Sequence, residues 1–245
     1  MRIYAISDLH LPGGDDKPMD VFGKHWQGHY EQIKQFWSEN ITQDDHVLHC
    51  GDFCWAMHLE NAIPELNEFA QLPGKKYLIR GNHDLWWASL AKMRPVVDES
   101  ITFIQNSSVV INDDEKQHSI IVCGTRGWSV PGSNDYTQHD EKIYAREVNR
   151  LKLSLDSVKT ILKDCKYESR ELIVMLHYPP IPMYGAAFEN DTDMNLTLRE
   201  YGVNKVVFGH IHRPQQVNSL KFERDGIKYY LTSCDMVQNY PVTIY

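Results

Sequence analysis

The stretch Lys76-Tyr77-Leu78-Ile79-Arg80-Gly81-Asn82-His83-Asp84 joins a short apolar run to a cluster of polar side chains. The run has the length and apolar content of a buried β-strand, and the glycine that follows it permits a sharp turn. Four other runs in the chain also lead into polar side chains. They are Arg2 to Ser7 before Asp8, His46 to Cys50 before Gly51-Asp52, Glu171 to Leu176 before His177, and Lys205 to Phe208 before Gly209-His210-Ile211-His212. The sequence therefore predicts five buried strands, each with a polar donor at its carboxyl end.

Helical periodicity lies between these strands. It is clearest from Glu141 to Leu162, where an apolar residue recurs every three or four positions. Further helices are predicted around residues 30–37, over Asn61 to Ala70, and over Met194 to Tyr201, which Gly202 would terminate. Further strands are predicted over 101–111, 118–123 and 227–233, with a turn at Asp113-Asp114. Alternating strands and helices with no linker predict an α/β fold, with residues 1–245 forming a single domain.

The composition favours an ordinary globular protein. Of 245 residues, 42% are hydrophobic and 24% are charged, and the formal net charge of -8 disfavours nucleic acid as a partner. The five cysteines are scattered and odd in number, which argues against a disulfide framework and against a thiolate zinc site. The N-terminal segment lacks the apolar core of a signal peptide, and no run approaches the roughly 18 apolar residues of a membrane span. We therefore expect a cytoplasmic protein without a membrane anchor.

The side chains at the five strand ends are oxygen and nitrogen donors, which suit manganese, iron and zinc. Each motif alone could be structural. Five of them in one chain favour a shared metal site, because ligands collect at the carboxyl ends of strands in open α/β sheets. Two of the donors, separated by one residue, are expected to lie on one extended strand and to point the same way. The candidates are Asp8, His10, Asp52, Asn82, His83, His177, His210 and His212, the last two being that pair.

In this order along the chain, the motifs resemble those of the calcineurin-like metallophosphoesterase family. They are Asp8-Leu9-His10, Gly51-Asp52, Gly81-Asn82-His83-Asp84, His177 and Gly209-His210-Ile211-His212. The resemblance implies a four-layer α/β/β/α sandwich with two mixed β-sheets. It also implies a dinuclear centre of two Mn, Fe or Zn ions, at which a metal-bridging hydroxide attacks the phosphorus atom.

The resemblance also implies a role for each matching residue. One metal ion would be held by Asp8, His10, Asp52 and His212, and the other by Asp52, Asn82, His177 and His210. His83 would be the catalytic histidine, which either protonates the leaving alkoxide, the role preferred here, or hydrogen-bonds a phosphoryl oxygen. Asp84 is expected to orient His83 or keep it charged, to cap a helix that begins at Leu85, or to do both.

These features predict a hydrolase of a small-molecule phosphate ester, either a phosphatase or a phosphodiesterase. One alternative is a catalytically weak, metal-binding interaction scaffold of the same fold, which the complete donor set disfavours. The other is a nuclease that uses the same centre, which the negative net charge of the chain disfavours. Arg126 is either a substrate-binding contact to the phosphate or a structural ion-pair residue. Most aromatic side chains of the loops 11–29, 125–140 and 178–192 are expected to pack on the core.

Overall fold

A computed structural model describes residues 1–14 and 17–245 of the chain. They form two compact units. Unit 1 comprises Met1–Phe103, Gly209–Arg213 and Thr232–Tyr245, and unit 2 comprises Ile104–Phe208 and Pro214–Leu231. The organisation of residues 1–245 as a single domain stays a prediction.

The described part of the chain alternates strands with helices. The strands are β1 (Ile3–Ile6), β2 (His46–His49), β3 (Lys75–Leu78), β4 (Ile101–Phe103), β5 (Ser108–Asp113), β6 (His118–Thr125), β7 (Arg170–Leu176), β8 (Lys205–Phe208), β9 (Lys221–Arg224), β10 (Ile227–Leu231) and β11 (Val242–Thr243). The α-helices are α1 (His29–Asn40), α2 (Leu59–Gln71), α3 (Leu90–Met93), α4 (Glu141–Ile161) and α5 (Asp193–Glu200). Short 3-10 helices include Met19–Phe22 and Lys24–Trp26.

Unit 1 contains a mixed sheet of strand order β11-β1-β2-β3-β4. Strands β1 to β4 are parallel to their neighbours, and β11 is antiparallel to β1. The register pairs Ile6 with His49 and His49 with Leu78, so the carboxyl ends of the three strands are level. Helices α1 and α2 bury Trp37 and Phe69 in the core of this unit, and the indole of Trp37 donates a 2.8 Å hydrogen bond to a backbone carbonyl. Three loops therefore leave one edge of the sheet together.

Unit 2 contains a second mixed sheet, of strand order β5-β6-β7-β8-β10-β9. The central strands β6, β7, β8 and β10 are parallel, and the outer strands β5 and β9 are antiparallel to their neighbours. Helix α4 packs on β5 and β6, where the Ser154 hydroxyl accepts a 2.9 Å hydrogen bond from the backbone N–H of Gly124. A glycine is required at position 124 because a Cβ atom there would collide with the backbone of Met175. The two sheets confirm the predicted α/β class with two mixed sheets.

Most of the predicted elements are present, but the strand predicted over 101–111 requires a correction. The predicted strand 101–111 is two strands, β4 in the sheet of unit 1 and β5 in the sheet of unit 2. The polar residues between them turn the chain, and Asn106 has a left-handed backbone with φ 53° that an extended strand cannot contain. Gly202 ends α5 as predicted, with φ 66° and a hydrogen bond to Arg199 O.

None of the helices in residues 1–14 and 17–245 combines the length and the apolar character that a membrane span requires.

Candidate metal centre

The loops after β1, β2 and β3 carry the first group of candidate ligands. Asp8 follows β1 and Asp52 follows β2, and backbone hydrogen bonds join the two loops. The N–H of Asp8 donates to Gly51 O at 2.9 Å, and the N–H of His10 donates to Asp52 O at 3.1 Å. Asn82 lies in the loop after β3. Parallel strands with level ends thus bring these ligands to one edge of the sheet, as the sequence predicts.

Four of the candidate ligands have a left-handed backbone, which few residues other than glycine adopt. They are Asp8 (φ 60°), His10 (φ 46°), Asp52 (φ 55°) and His210 (φ 72°). A backbone of this kind costs about 1–3 kcal/mol per residue and is concentrated at functional sites. The expected placement of His210 and His212 on one extended strand is wrong, because β8 ends at Phe208 and the chain turns at His210.

Two glycines allow the loops to approach the carboxylates closely. A Cβ atom at Gly81 would collide with the carboxylate and the backbone nitrogen of Asp52, and one at Gly209 would collide with Ser7 and the carboxylate of Asp8. Any side chain at either position would displace a candidate ligand. The glycines therefore serve close packing around the two carboxylates.

One cluster of ligand atoms belongs to Asp8, His10 and His212, whose atoms lie within 4.8 Å of one another. The Nε2 atoms of His10 and His212 are 3.4 Å apart, and His212 Nε2 is 3.5 Å from Asp8 Oδ1. Asp52 joins this cluster, since its Oδ2 atom is 3.8 Å from His10 Nε2. Two carboxylates and two imidazoles therefore face a common point.

The other donors of unit 1 lie beside the same carboxylates. His210 Nδ1 is 3.0 Å from Asn82 Oδ1, and the backbone N–H of His210 donates to the carboxylate of Asp8. One carboxylate oxygen of Asp52, Oδ1, accepts a 2.8 Å hydrogen bond from the backbone N–H of His83. Asp52 thus lies between the cluster of His10 and the residues of the β3 loop.

The electrostatics of the carboxylates favour a bound cation. Asp8 is 0% exposed and Asp52 is 1% exposed, and their ligand atoms lie within 4.8 Å of each other. Burial, with the negative charges of Asp8 and Asp84, raises the pKa of Asp52 well above its ordinary value. A divalent cation would remove the cost of holding the buried charges together. The residues present therefore fit a metal ion.

Comparison with known proteins agrees with this geometry. Residues 1–214 match the family described as calcineurin-like phosphoesterase. The chain belongs to the calcineurin-like phosphoesterase family. A search of curated proteins gave no match. Family members typically bind a dinuclear metal centre, and this chain has clustered ligand residues.

Solved structures share the fold. TT1561 of Thermus thermophilus is similar at 10% identity with a TM-score of 0.57, over 99% of this chain and 98% of that chain. The calcineurin-like phosphoesterase YfkN from Bacillus subtilis is similar at 11% identity with a TM-score of 0.51, over 96% of this chain and 82% of that chain. At such low identities the likeness extends to the fold alone.

Asp235 supports one of the histidines of this calcineurin-like phosphoesterase, and the sequence analysis missed it. Its Oδ1 atom is 2.9 Å from His212 Nδ1, and its Oδ2 atom accepts a 2.8 Å hydrogen bond from the backbone N–H of Arg213. Burial lowers the pKa of His212, but the hydrogen bonds to Asp235 and Asp8 outweigh that effect and raise the pKa to about 10. Asp235 follows the predicted strand 227–233, so the strand-end signal used for the other donors could have identified it.

Asp84 connects two of the ligand loops and does not cap a helix. Its carboxylate accepts hydrogen bonds from the backbone N–H groups of Asp52 at 2.9 Å, Phe53 at 2.8 Å and Gly81 at 2.7 Å, and from the indole of Trp86 at 3.0 Å. The expected helix at residue 85 is wrong, because the next helix begins at residue 90. Asp84 therefore fixes the loops after β2 and β3 relative to each other.

His83 lies beside the ligand cluster. Its ring centroid is 5.6 Å from that of His10 and 4.6 Å from that of Trp55. Burial lowers the pKa of His83, and the negative charge of Asp8 opposes this shift only in part. The lowered pKa favours the neutral ring, which has one N–H group to donate.

His177 and Arg126 belong to unit 2. His177 follows β7 and is buried, and its backbone N–H donates a 2.9 Å hydrogen bond to Arg126 O. The guanidinium of Arg126 is 3.3 Å from the buried carboxylate of Glu147 and lies 4.7 Å from the ring centroid of Trp128. Arg126 thus has a structural ion pair, and its contact with a substrate phosphate stays a prediction, as does the role of His177 as a ligand.

Two indole side chains pack beside the imidazoles of the candidate centre. Trp26 is 3% exposed, and its ring centroid lies 5.9 Å from that of His10 and 5.5 Å from that of His212. Trp55 stacks on His10 at 4.8 Å with an interplanar angle of 22°. Trp55 was outside the loops chosen from the sequence, although it lies only three residues after the candidate ligand Asp52.

Proposed function

We propose that this calcineurin-like phosphoesterase hydrolyses a phosphomonoester or phosphodiester of a small molecule at a dinuclear metal centre. The observation that carries the proposal is the pair of buried carboxylates, Asp8 and Asp52, surrounded by imidazole and amide donors at one edge of a sheet. An isolated pair of buried carboxylates would be strongly destabilising. Cation binding explains both the burial and the choice of neighbouring side chains.

The assignment of ligands follows the family motifs. Under this proposal one ion is held by Asp8, His10, Asp52 and His212, and the other by Asp52, Asn82, His177 and His210. The short distances among the donors of unit 1 support this assignment. Manganese, iron and zinc all suit this set of oxygen and nitrogen donors.

When bound, the two ions would lower the pKa of a water molecule and neutralise charge on the phosphoryl oxygens. The protein's own residues provide the geometry for this chemistry. Asp84 holds the backbone of Asp52, and Asp235 holds the imidazole of His212 through its Nδ1 atom, so that the Nε2 atom faces the cluster. These contacts fix the ligands before any ion binds, which reduces the cost of ordering them.

His83 is proposed to donate a hydrogen bond to the leaving or phosphoryl oxygen. Its lowered pKa favours a neutral ring, which donates through one N–H group. The second of the two roles expected from the sequence, a hydrogen bond to a phosphoryl oxygen, therefore has more support than transfer of a proton from a charged ring. A cytoplasmic location is part of the same proposal, and it is supported by the five cysteines, all of which lie in the described part of the chain and none of which forms a disulfide.

The test is to reload apoprotein separately with manganese, iron and zinc and to assay each form against paired aryl monoester and diester substrates. We expect metal-dependent turnover of at least one of the two esters. The Asp52→Asn variant should lose that turnover, because an amide cannot bridge two cations with a negative charge. Retention of wild-type turnover by Asp52→Asn, or equal turnover with and without metal, would refute the proposed function.

A further inference from the structure

A cavity of about 310 Å³ opens beside the candidate metal centre. The imidazoles of His10, His83 and His212 line it. Its volume lies at the lower end of the range for small-molecule sites, roughly 300–1,000 Å³. A phosphate held by the metal ligands would therefore extend its ester group into this cavity.

The remaining walls of the cavity are mostly apolar and aromatic. They are formed by Met19, Phe22, Trp26 and Trp55, with Arg213 as the cationic member. The indole N–H of Trp55 donates to Met19 Sδ at 3.3 Å, which fixes the ring. Trp26 is buried. Because these two indoles are already ordered, little conformational freedom would be lost when a ligand packs on them.

Phe22 lies at the mouth of the cavity, in the 3-10 helix Met19–Phe22. Its side chain is 63% exposed, and that of its neighbour Val21 is 72% exposed. Phe22 lines the cavity, whereas Val21 is not among the described residues that line it. The Phe22 side chain is therefore accessible to a ligand that enters the cavity.

The charges near the cavity distinguish between two kinds of occupant. Aromatic walls can bind either a flat apolar ring or a quaternary ammonium group. The cations here are Arg213, which lines the cavity, and Lys17, whose Nζ atom is 5.5 Å from the Trp55 ring centroid. No acidic side chain occurs among the described residues that line the cavity. A positively charged group would be repelled, so a neutral ring on an anionic ester is favoured.

We propose that this cavity, which we name the aromatic cavity, binds a planar aromatic ring in the alcohol part of the phosphate ester. The proposal rests on the phosphoesterase function proposed above and names its substrate class. An aryl group and a nucleobase share this chemistry. Phe22, Trp26 and Trp55 would contact the ring, while the phosphate lies beside the histidines that line the cavity.

The test measures binding separately from turnover in the manganese-loaded protein. Calorimetry should show that phenylphosphonate binds about tenfold or more tightly than methylphosphonate, the difference expected for burying one aromatic ring. The Phe22→Ala variant should reduce this preference about 2- to 12-fold, as expected for the loss of one aromatic pair. Val21→Ala is the matched control, because Val21 is adjacent to Phe22 and also exposed, and it should leave the preference unchanged.

Turnover of phenyl phosphate, a nucleoside 5′-monophosphate, phosphocholine and methyl phosphate then distinguishes an aryl group from a nucleobase as the aromatic ring. The proposal expects one of the two aromatic esters to be hydrolysed with the highest kcat/KM. Equal binding of the two phosphonates, equal effects of Phe22→Ala and Val21→Ala, or a preference for phosphocholine would overturn it. Preferential phenylphosphonate binding without hydrolysis of any ester would refute the phosphoesterase function alone, and hydrolysis without aromatic preference would refute the aromatic cavity alone.

Discussion

Replacement of Asp84 by alanine tests whether its carboxylate holds two ligand loops together. Five donors would lose their acceptor: the backbone N–H groups of Asp52, Phe53, Cys54 and Gly81, and the indole of Trp86. Asp84 is 0% exposed, so the buried donors would lack water as a substitute. Each unpaired buried donor costs about 1–3 kcal/mol, so we expect the free energy of unfolding to fall by about 4 kcal/mol or more.

The melting temperature of the Asp84→Ala variant provides the assay. For a chain of this size, a loss of about 4 kcal/mol corresponds to a decrease of about 8–16 °C. Asp44→Ala is the control, since Asp44 is an exposed acidic residue of the same unit, and its melting temperature should stay close to that of the wild type. An Asp84→Ala variant with the same melting temperature as Asp44→Ala would refute the structural role given to this carboxylate.

The other predictions concern the metal ligands and the proposed catalytic residue. Metal affinity should rise with pH, because Asp235 and Asp8 together outweigh burial and raise the pKa of His212 to about 10, so that binding below that pH displaces a proton. Calorimetry with Mn²⁺ should show up to about tenfold tighter binding per pH unit between pH 7 and 9, and a pH-independent affinity would contradict this. Gly81→Ala should weaken Mn²⁺ binding, because its Cβ would displace the carboxylate of Asp52; an unchanged dissociation constant would argue against that placement. His83→Asn should lower kcat about 100-fold or more with the metal content unchanged, and a wild-type kcat would exclude a catalytic role.

The donors of the candidate centre could be predicted because their signal is local. Each follows a short apolar run, and adjacent parallel strands bring such positions to one edge of the sheet. Asp8 and Asp52 illustrate this, because their loops are joined by a backbone hydrogen bond between Asp8 and Gly51. The α/β class could be predicted for the same reason, whereas the two mixed sheets were implied by the family resemblance.

The supporting role of Asp84 could not be predicted, because its partners Asp52 and Phe53 are distant in the sequence, and the same holds for features that depend on tertiary contacts. Asp84 accepts hydrogen bonds from Asp52 and Phe53, more than 30 residues earlier in the chain. The left-handed backbone of His210, which takes it and His212 off the strand, reflects the contact of its N–H with Asp8. The division of residues 101–111 between two sheets likewise depends on strand pairing, which apolar content alone does not specify.

The most direct test of the metal centre is a titration of apoprotein with Mn²⁺ in which bound metal and phosphate-ester turnover are measured in the same samples. If the donors hold a dinuclear catalytic centre, turnover will rise with occupancy and reach its maximum at two ions per chain. Turnover that is already maximal in the apoprotein, or that stays at zero when two ions are bound, would contradict it.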